Sequence, residues 1–248
     1  MHWTQWKEIF RARALRPFPS IDTCDEIPAS WRAPLAASLA KFQVGEAGEG
    51  RIAHQVAHVR LAAIDDDYRA ALRLFVKEEG RHARILAAIL RAQGGELLRS
   101  TWSERLFVRG RRLAGFRLKI LVLLAAEVLG IGFYGLCAAH LPDGPTRRAL
   151  LEIAGDEASH LDFHVDFFRR ALPGRAGAAI FTAAWVAIAG AACAVVVVDH
   201  RATLRALGIG PRAAIQTFAG LVDRVRREVT EARAPTGTID AARLATAA

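Results

Sequence analysis

Apolar residues recur along most of this chain at steps of three and four, the spacing that places them on one face of a helix. The pattern predicts an all-α protein, because alanine, leucine and arginine dominate while glycine and proline cluster between the periodic segments. Four long helices are predicted at about 34–63, 67–93, 115–140 and 146–171. Shorter helices are predicted at 3–15, 105–112 and 211–233.

Two segments are too apolar for a helix that exposes one face to water. From Ile120 to Ala139 the third long helix carries a single charged residue, Glu127, which indicates burial on all sides. Residues 176–198 carry no charge at all. At about 1.5 Å per residue this segment is long enough to cross a bilayer core of roughly 30 Å, or it packs on the bundle as a fifth helix. Its many alanines favour the packed helix.

Charge and cysteine usage narrow the class of protein. The formal net charge is +9 and the isoelectric point is about 10.4, so an anionic membrane surface is a candidate partner. Nucleic acid is not expected, because the sequence has no basic strand or finger motif with interleaved aromatic residues. The 3 cysteines are far apart, which argues against a disulfide framework or a zinc ribbon. We expect a cytoplasmic protein, free or at the inner face of the membrane, since charges occupy the position of a signal peptide.

Two Glu-x-x-His pairs carry the candidate chemistry, Glu79 with His82 and Glu157 with His160. Residues three apart share one face of a helix, so each pair can present a carboxylate oxygen and an imidazole nitrogen to the same ion. Carboxylates combined with imidazole suit iron or manganese. A single pair of this kind on a surface helix usually has no function, so the interpretation depends on what accompanies the two pairs.

Two further glutamates repeat their spacing in both halves of the chain. Glu49 precedes Glu79 by 30 residues, and Glu127 precedes Glu157 by 30 residues. Each half is predicted to form a helical hairpin with its turn about midway, so antiparallel packing brings these groups to one height. Four carboxylates and two imidazoles are therefore expected at the centre of the bundle. A lone buried charge such as Glu127 costs several kcal/mol, which bound cations would offset.

Other polar residues on these faces leave alternatives open. Glu46 lies one turn before Glu49 and is either an alternative ligand or a neighbour of the ligands; the equal hairpin spacing favours Glu49. His164 and Tyr134 also face inward and are interpreted as core residues. An added ligand is the alternative for His164, and a radical or proton relay is the alternative for Tyr134. The Asp199-His200 pair is interpreted as a helix cap.

The six residues resemble the ligand pattern of the ferritin-like di-iron carboxylate proteins, in which two helices give one Glu each and two others give Glu-x-x-His. They are Glu49, Glu79, His82, Glu127, Glu157 and His160. The resemblance covers about 34–172 and extends to rubrerythrin, bacterioferritin and the demethoxyubiquinone hydroxylase group. The segments 48–51 and 78–82 look most like an uncharacterised bacterial branch.

This resemblance implies a fold and a cofactor. The fold is a ferritin-like four-helix bundle over 34–172 with a long crossover between its second and third helices. An N-terminal arm, 1–33, and a C-terminal helical extension, 173–248, flank the bundle. The implied cofactor is two iron ions, with manganese as the alternative. Glu79 and Glu157 would bridge the ions, Glu49 and Glu127 would be terminal ligands, and His82 and His160 would bind one ion each.

The resemblance also implies an oxidoreductase that activates O2 or peroxide with an external electron donor, such as a monooxygenase acting on an apolar substrate. The expected walls of the site are apolar residues of the third helix: Leu123, Leu124, Val128, Leu129, Ile131 and Phe133. One alternative is a rubrerythrin-like or ferritin-like protein that handles iron or removes peroxide. Another is a non-enzymatic helical protein that binds a membrane or a partner. A homodimer is also left open.

Overall fold

The computed structural model describes residues 1–48, 50–102, 115–172 and 174–231, and within these ranges the chain is helical with no strand. The helices are α1 Trp3–Arg13, α2 Ala29–Ala47, α3 Gly50–Gln55, α4 Asp66–Ala92, α5 Phe116–His140, α6 Pro145–Ala171, α7 Gly174–Asp199, α8 Arg201–Ala206 and α9 Pro211–Thr230. A 3-10 turn, Val56–His58, follows α3. The predicted helix at 105–112 lies outside the described residues.

Helices α2, α4, α5 and α6 form the bundle, with α2 packed on α4 and α5 packed on α6. The sequence predicts the start of α4 closely, because the side chain of Asp65 accepts a hydrogen bond from the backbone N–H of Tyr68 at 2.8 Å. The apolar helix α5 is buried along nearly its whole length, as its composition predicts.

The first long helix differs from its prediction at both ends. Its observed form, α2, begins five residues before Pro34, whose missing N–H leaves the carbonyl of Ser30 without a helical partner. Ser30 is exposed, so water can satisfy that carbonyl. At the other end the predicted helix to residue 63 is wrong, because the chain turns at Gly48 and resumes as the short helix α3. Glycine is a poor helix former, which explains an interruption at this point.

The N-terminal helix α1 packs on the bundle through aromatic side chains, as its apolar face predicts. Trp3, Trp6 and Phe10 are buried, and each ring makes an edge contact with Phe163 at 5.4–5.8 Å between centroids. The indole N–H of Trp3 donates to the carbonyl of Ala63 at 3.0 Å. These contacts fix α1 against α4 and α6, directly beside the buried acidic residues described below.

Helix α7 packs on α5 and α9 with Phe181, Trp185 and Ala189 buried. Helix α9 approaches α5 so closely that a Cβ added to Gly132 would lie 2.4 Å from the Phe218 ring, which requires glycine there. By length and composition both α5 and α7 could cross a membrane, but the most apolar window is 94% buried in α5 and 33% buried in α7. The predicted packed fifth helix is therefore present, and it keeps an exposed apolar outer face.

Candidate metal centre

Two buried Glu-x-x-His pairs face each other across α4 and α6. One carboxylate or imidazole atom from each of Glu79, His82, Glu157 and His160 lies within 4.8 Å of the others. Nδ1 of His160 is 2.8 Å from Oε1 of Glu79, and Nδ1 of His82 is 3.1 Å from Oε1 of Glu157. The structure thus brings together the two pairs, as the hairpin spacing predicts.

Helix α5 adds Glu127 to this cluster. Its Oε2 lies 3.6 Å from Nδ1 of His160, and its Oε1 lies 3.4 Å from Nε2 of His164. Burial and the neighbouring Glu157 raise the pKa of Glu127 well above its ordinary value. His164 is fully buried, neither of its ring nitrogens has a hydrogen-bond partner, and burial lowers its pKa to about 3. A neutral imidazole therefore lies beside Glu127.

Helix α2 contributes Glu46, which interacts with Glu79 of the cluster and with Tyr134. The hydroxyl of Tyr134 donates to Oε1 of Glu46 at 2.6 Å. Burial, and then the charges of Glu79 and Glu157, raise the pKa of Glu46 well above its ordinary value. Glu49, the other glutamate predicted on this helix, lies outside the described residues. We refer to Glu46, Glu79, Glu127 and Glu157 as the inner glutamates.

Behind each cluster histidine stands a second carboxylate from the opposite helix. Nε2 of His82 on α4 is 3.2 Å from Oδ2 of Asp156 on α6, and Nε2 of His160 is 2.9 Å from Oε2 of Glu78. Nδ1 of each ring then faces the inner glutamates. Hydrogen bonds of this kind fix the orientation of a ligand imidazole. Glu78 and Asp156, the outer acids, were missed by the sequence analysis, although each directly precedes the glutamate of its pair.

Arg13, the last residue of α1, and Arg16, just beyond the helix, neutralise the outer acids. Nη2 of Arg16 is 3.0 Å from Oε1 of Glu78 and also contacts Oδ2 of Asp156, while Nη1 of Arg13 lies 3.5 Å from each acid. Burial opposes ionisation of Asp156, but hydrogen bonds from His82 and Arg16 outweigh it and lower the pKa to about 2. No local pattern in the sequence predicts these contacts, because Arg16 and Glu78 are 62 residues apart along the chain.

Among the described residues no arginine or lysine pairs with the inner glutamates, which instead contact His82, His160 and His164. Burial opposes ionisation of His82, but Glu157 above all raises the pKa of that imidazole to about 9. Glu157 itself has its pKa lowered well below the ordinary value, since the hydrogen bond with Glu127 and the two histidines outweigh burial. Glu127 therefore holds a proton against Glu157. Without a metal ion, the protons on His82 and Glu127 balance part of the negative charge of the inner glutamates.

The donor atoms fit divalent metal ions. Oε1 of Glu79, Oε1 of Glu157 and Nδ1 of His82 are buried without a hydrogen-bond partner, although they lie close to one another. Buried polar atoms are rarely left in this state, and a shared cation would satisfy all three. Carboxylate oxygens combined with imidazole nitrogens suit iron or manganese. The buried Glu/His cluster can therefore hold a metal.

A cavity of about 120 Å³ borders all four inner glutamates. Its walls are mostly apolar and come from three helices: Phe42 from α2, Val122, Leu123, Ala126 and Leu129 from α5, and Val195 and Val196 from α7. Leu123 and Leu129 were predicted as walls of the site. Leu124, Val128, Ile131 and Phe133, also predicted as walls, are instead buried in the core, because only one face of α5 borders the cavity. The contribution of α7 was not predicted.

Known proteins support the fold. No protein-family model matches this chain, and no curated protein matches it. A solved structure from Synechococcus, described as "Protein 19 with aldehyde deformylating oxidase activity", superposes with a TM-score of 0.60 at 19% sequence identity. The similarity covers 89% of this chain and 98% of the other. It confirms the predicted fold class: the chain is an all-helical bundle of the ferritin-like type.

Proposed function

We propose that this protein is a di-iron carboxylate oxidoreductase that uses O2 or peroxide to oxidise an apolar substrate. The observation that carries the proposal is the cavity, because it joins a metal-binding set of carboxylates to apolar walls within the protein. The aldehyde deformylating oxidase activity of the similar Synechococcus structure supports the same class of reaction.

In this proposal the four residues of the facing pairs hold two ions together with Glu127 and one glutamate of the first bundle helix. Bound iron supplies activation of O2 or peroxide, with electrons from an external donor. Asp156 and Glu78 hold the two imidazoles in the orientation that points Nδ1 at the inner glutamates, where the ions would bind. Tyr134 holds a proton against Oε1 of Glu46. The apolar walls exclude water and position the substrate.

The first test is metal content. Protein produced with ample iron should contain about two irons per chain, the number for which this ligand pattern is built. Glu127→Ala and His160→Ala should each reduce that number, whereas His54→Ala, at an exposed position outside the cluster, should leave it unchanged. A protein without iron or manganese after reconstitution would instead support a non-enzymatic role.

The second test separates the oxidase from an iron-handling protein. After reduction, the iron-loaded protein should consume O2 without taking up iron far beyond two ions per chain. Continued loading into a large assembly would support storage, and turnover with peroxide alone would support peroxide removal. The apolar walls of the cavity favour the oxidase, since a protein that stores iron needs no apolar compartment beside its metal site.

The third test decides which glutamate of the first bundle helix is the ligand. Glu46→Gln and Glu49→Gln are compared for iron content under the same conditions. Glu46 already lies at the cluster, so we expect its substitution to reduce iron content more. The reverse result would make Glu49 the ligand and leave Glu46 as a partner of Tyr134.

A further inference from the structure

The cavity beside the inner glutamates also borders a group of polar residues, Lys41, Asp199 and His200. Nζ of Lys41 is 2.8 Å from Oδ1 of Asp199, and the indole N–H of Trp102 donates to the same oxygen at 3.2 Å. Lys41 lies five residues before Glu46 on α2, or about 7.5 Å along the helix axis. One compartment therefore connects the two polar groups.

His200 is buried in this part of the cavity, and its ring nitrogen Nδ1 has no hydrogen-bond partner. Its side chain is 4% exposed and packs against the rings of Phe42 and Phe133, with centroids 5.0 and 4.9 Å away. It occupies the N-cap position of α8 but makes no side-chain capping bond, so the predicted capping role is wrong for this residue. Its Nδ1 and Oδ2 of Asp199 are both buried without a hydrogen-bond partner. Buried polar atoms are normally satisfied, so these two are available to a ligand.

This end of the cavity carries no net charge. The ammonium of Lys41 and the carboxylate of Asp199 form an ion pair, so their charges cancel. Burial, and then the nearby charge of Lys41, lower the pKa of His200 to about 4, so its imidazole is neutral at physiological pH. What remains is one imidazole nitrogen and one carboxylate oxygen, each without a partner.

We propose that His200 and Asp199 bind an uncharged hydrogen-bonding group, foremost a hydroxyl, on an otherwise apolar substrate. A hydroxyl can donate its proton to Oδ2 of Asp199 and accept one from Nδ1–H of His200. Because the Lys41–Asp199 pair is neutral as a whole, a charged substrate group would lose its hydration here without gaining a net counter-charge. This assignment rests on the proposed function, and it extends that function by defining the substrate's chemistry.

The volume gives the size of the part of the substrate that the cavity encloses, because the cavity is open to solvent at Ala126. Cavities of this order accommodate molecules about as large as benzene, so about 120 Å³ corresponds to roughly six to eight non-hydrogen atoms. The enclosed part of the substrate is therefore a compact apolar alcohol. Its hydroxyl binds at His200, and its apolar carbon faces the inner glutamates.

The binding preference is tested on the full-length protein as isolated, without added metal. Three probes of equal chain length, 1-hexanol, hexanoate and hexylamine, are titrated at pH 7 and followed by ligand-observed NMR. We expect 1-hexanol to bind most tightly. His200→Phe should weaken 1-hexanol binding roughly fivefold, the effect of one lost hydrogen bond. The matched control, His140→Phe, changes a half-buried histidine outside the cavity and should leave the affinity unchanged.

A second variant keeps the test decisive if His200→Phe does not fold. Asp199→Asn preserves size and leaves Lys41 without its counter-charge, so the preference should move from 1-hexanol towards hexanoate. Equal affinity of the native chain and folded His200→Phe for 1-hexanol would overturn the proposal, as would hexanoate binding to the native chain as tightly as 1-hexanol. Iron content is measured in parallel. A chain that binds no iron but retains the His200-dependent preference for 1-hexanol would contradict the proposed function alone.

Discussion

Two layers of buried acidic residues lie within a few ångströms of each other, and their charges are balanced in different ways. The outer acids, Glu78 and Asp156, are 6% and 2% exposed, and both are contacted by Arg13 at the end of α1 and by Arg16 just beyond it. The inner glutamates are in contact with histidines and with one another, and part of their charge is balanced by protons. The difference distinguishes a structural arrangement from a binding site. The outer acids, which orient the histidines, are paired with arginines. The inner glutamates, where a metal ion can bind, pair with no arginine or lysine among the described residues.

The largest expected effect comes from removing the arginines of the outer layer. In Arg13→Ala/Arg16→Ala the outer acids lose their counter-charges while remaining buried, so the free energy of unfolding should fall by about 3–5 kcal/mol. Urea unfolding of the metal-free protein measures this. Arg11→Ala is the control on the same helix, because Arg11 pairs with Glu8 on the surface and should contribute under about 1 kcal/mol. Equal effects of both variants would remove the distinction between the layers.

Removing an inner glutamate should instead raise the free energy of unfolding of the metal-free protein. Glu127→Gln removes an ionisable group whose pKa is raised by burial and by Glu157, so the metal-free protein should gain stability at pH 7. An acid with a raised folded pKa destabilises only above its unfolded value, here 4.5. The gain should therefore be absent below that pH and grow as pH rises. Manganese should stabilise the native chain but not the variant. A loss of stability at pH 7 without metal would contradict this account.

Asp156 provides the matching pH profile for the outer layer. Its folded pKa is about 2 against 3.8 for the ordinary side chain, so Asp156→Asn should cost about 2 kcal/mol at neutral pH. A lowered folded pKa stabilises fully above the unfolded value and is lost as pH falls through the folded one. The difference between Asp156→Asn and the native chain should accordingly disappear as pH approaches 2. Acid titration of stability checks this, and a difference that persists there would show a steric cause.

The smallest expected effect concerns Tyr134. Tyr134→Phe removes the hydrogen bond to Glu46 and should lower stability by about 1 kcal/mol, with little change in overall packing. The same variant made on Glu46→Gln should show how strongly the two side chains are coupled. Additive effects would mean that Tyr134 does not act through Glu46.

Much of the fold was predictable because helices leave a local pattern. Steps of three and four placed α4, α5, α6 and α9 within a few residues of their observed bounds. The failure in the first bundle helix has a local cause as well, since the apolar stripe continues past Gly48 although the backbone turns there. The role of the predicted ligands remains a prediction, but the meeting of Glu79, His82, Glu127, Glu157 and His160 agrees with the expected geometry.

The sequence by itself determined which glutamates and histidines share a helix face, because three-residue spacing and equal hairpin lengths are properties of the local chain. Only the tertiary structure decided that the outer acids bond to the histidines of the opposite helix, that Arg13 and Arg16 neutralise those acids, and that α7 and His200 complete the cavity. These contacts join residues that are distant along the chain. Their geometry is set by how helices pack against one another, and packing leaves no periodic signal in the residues that it brings together.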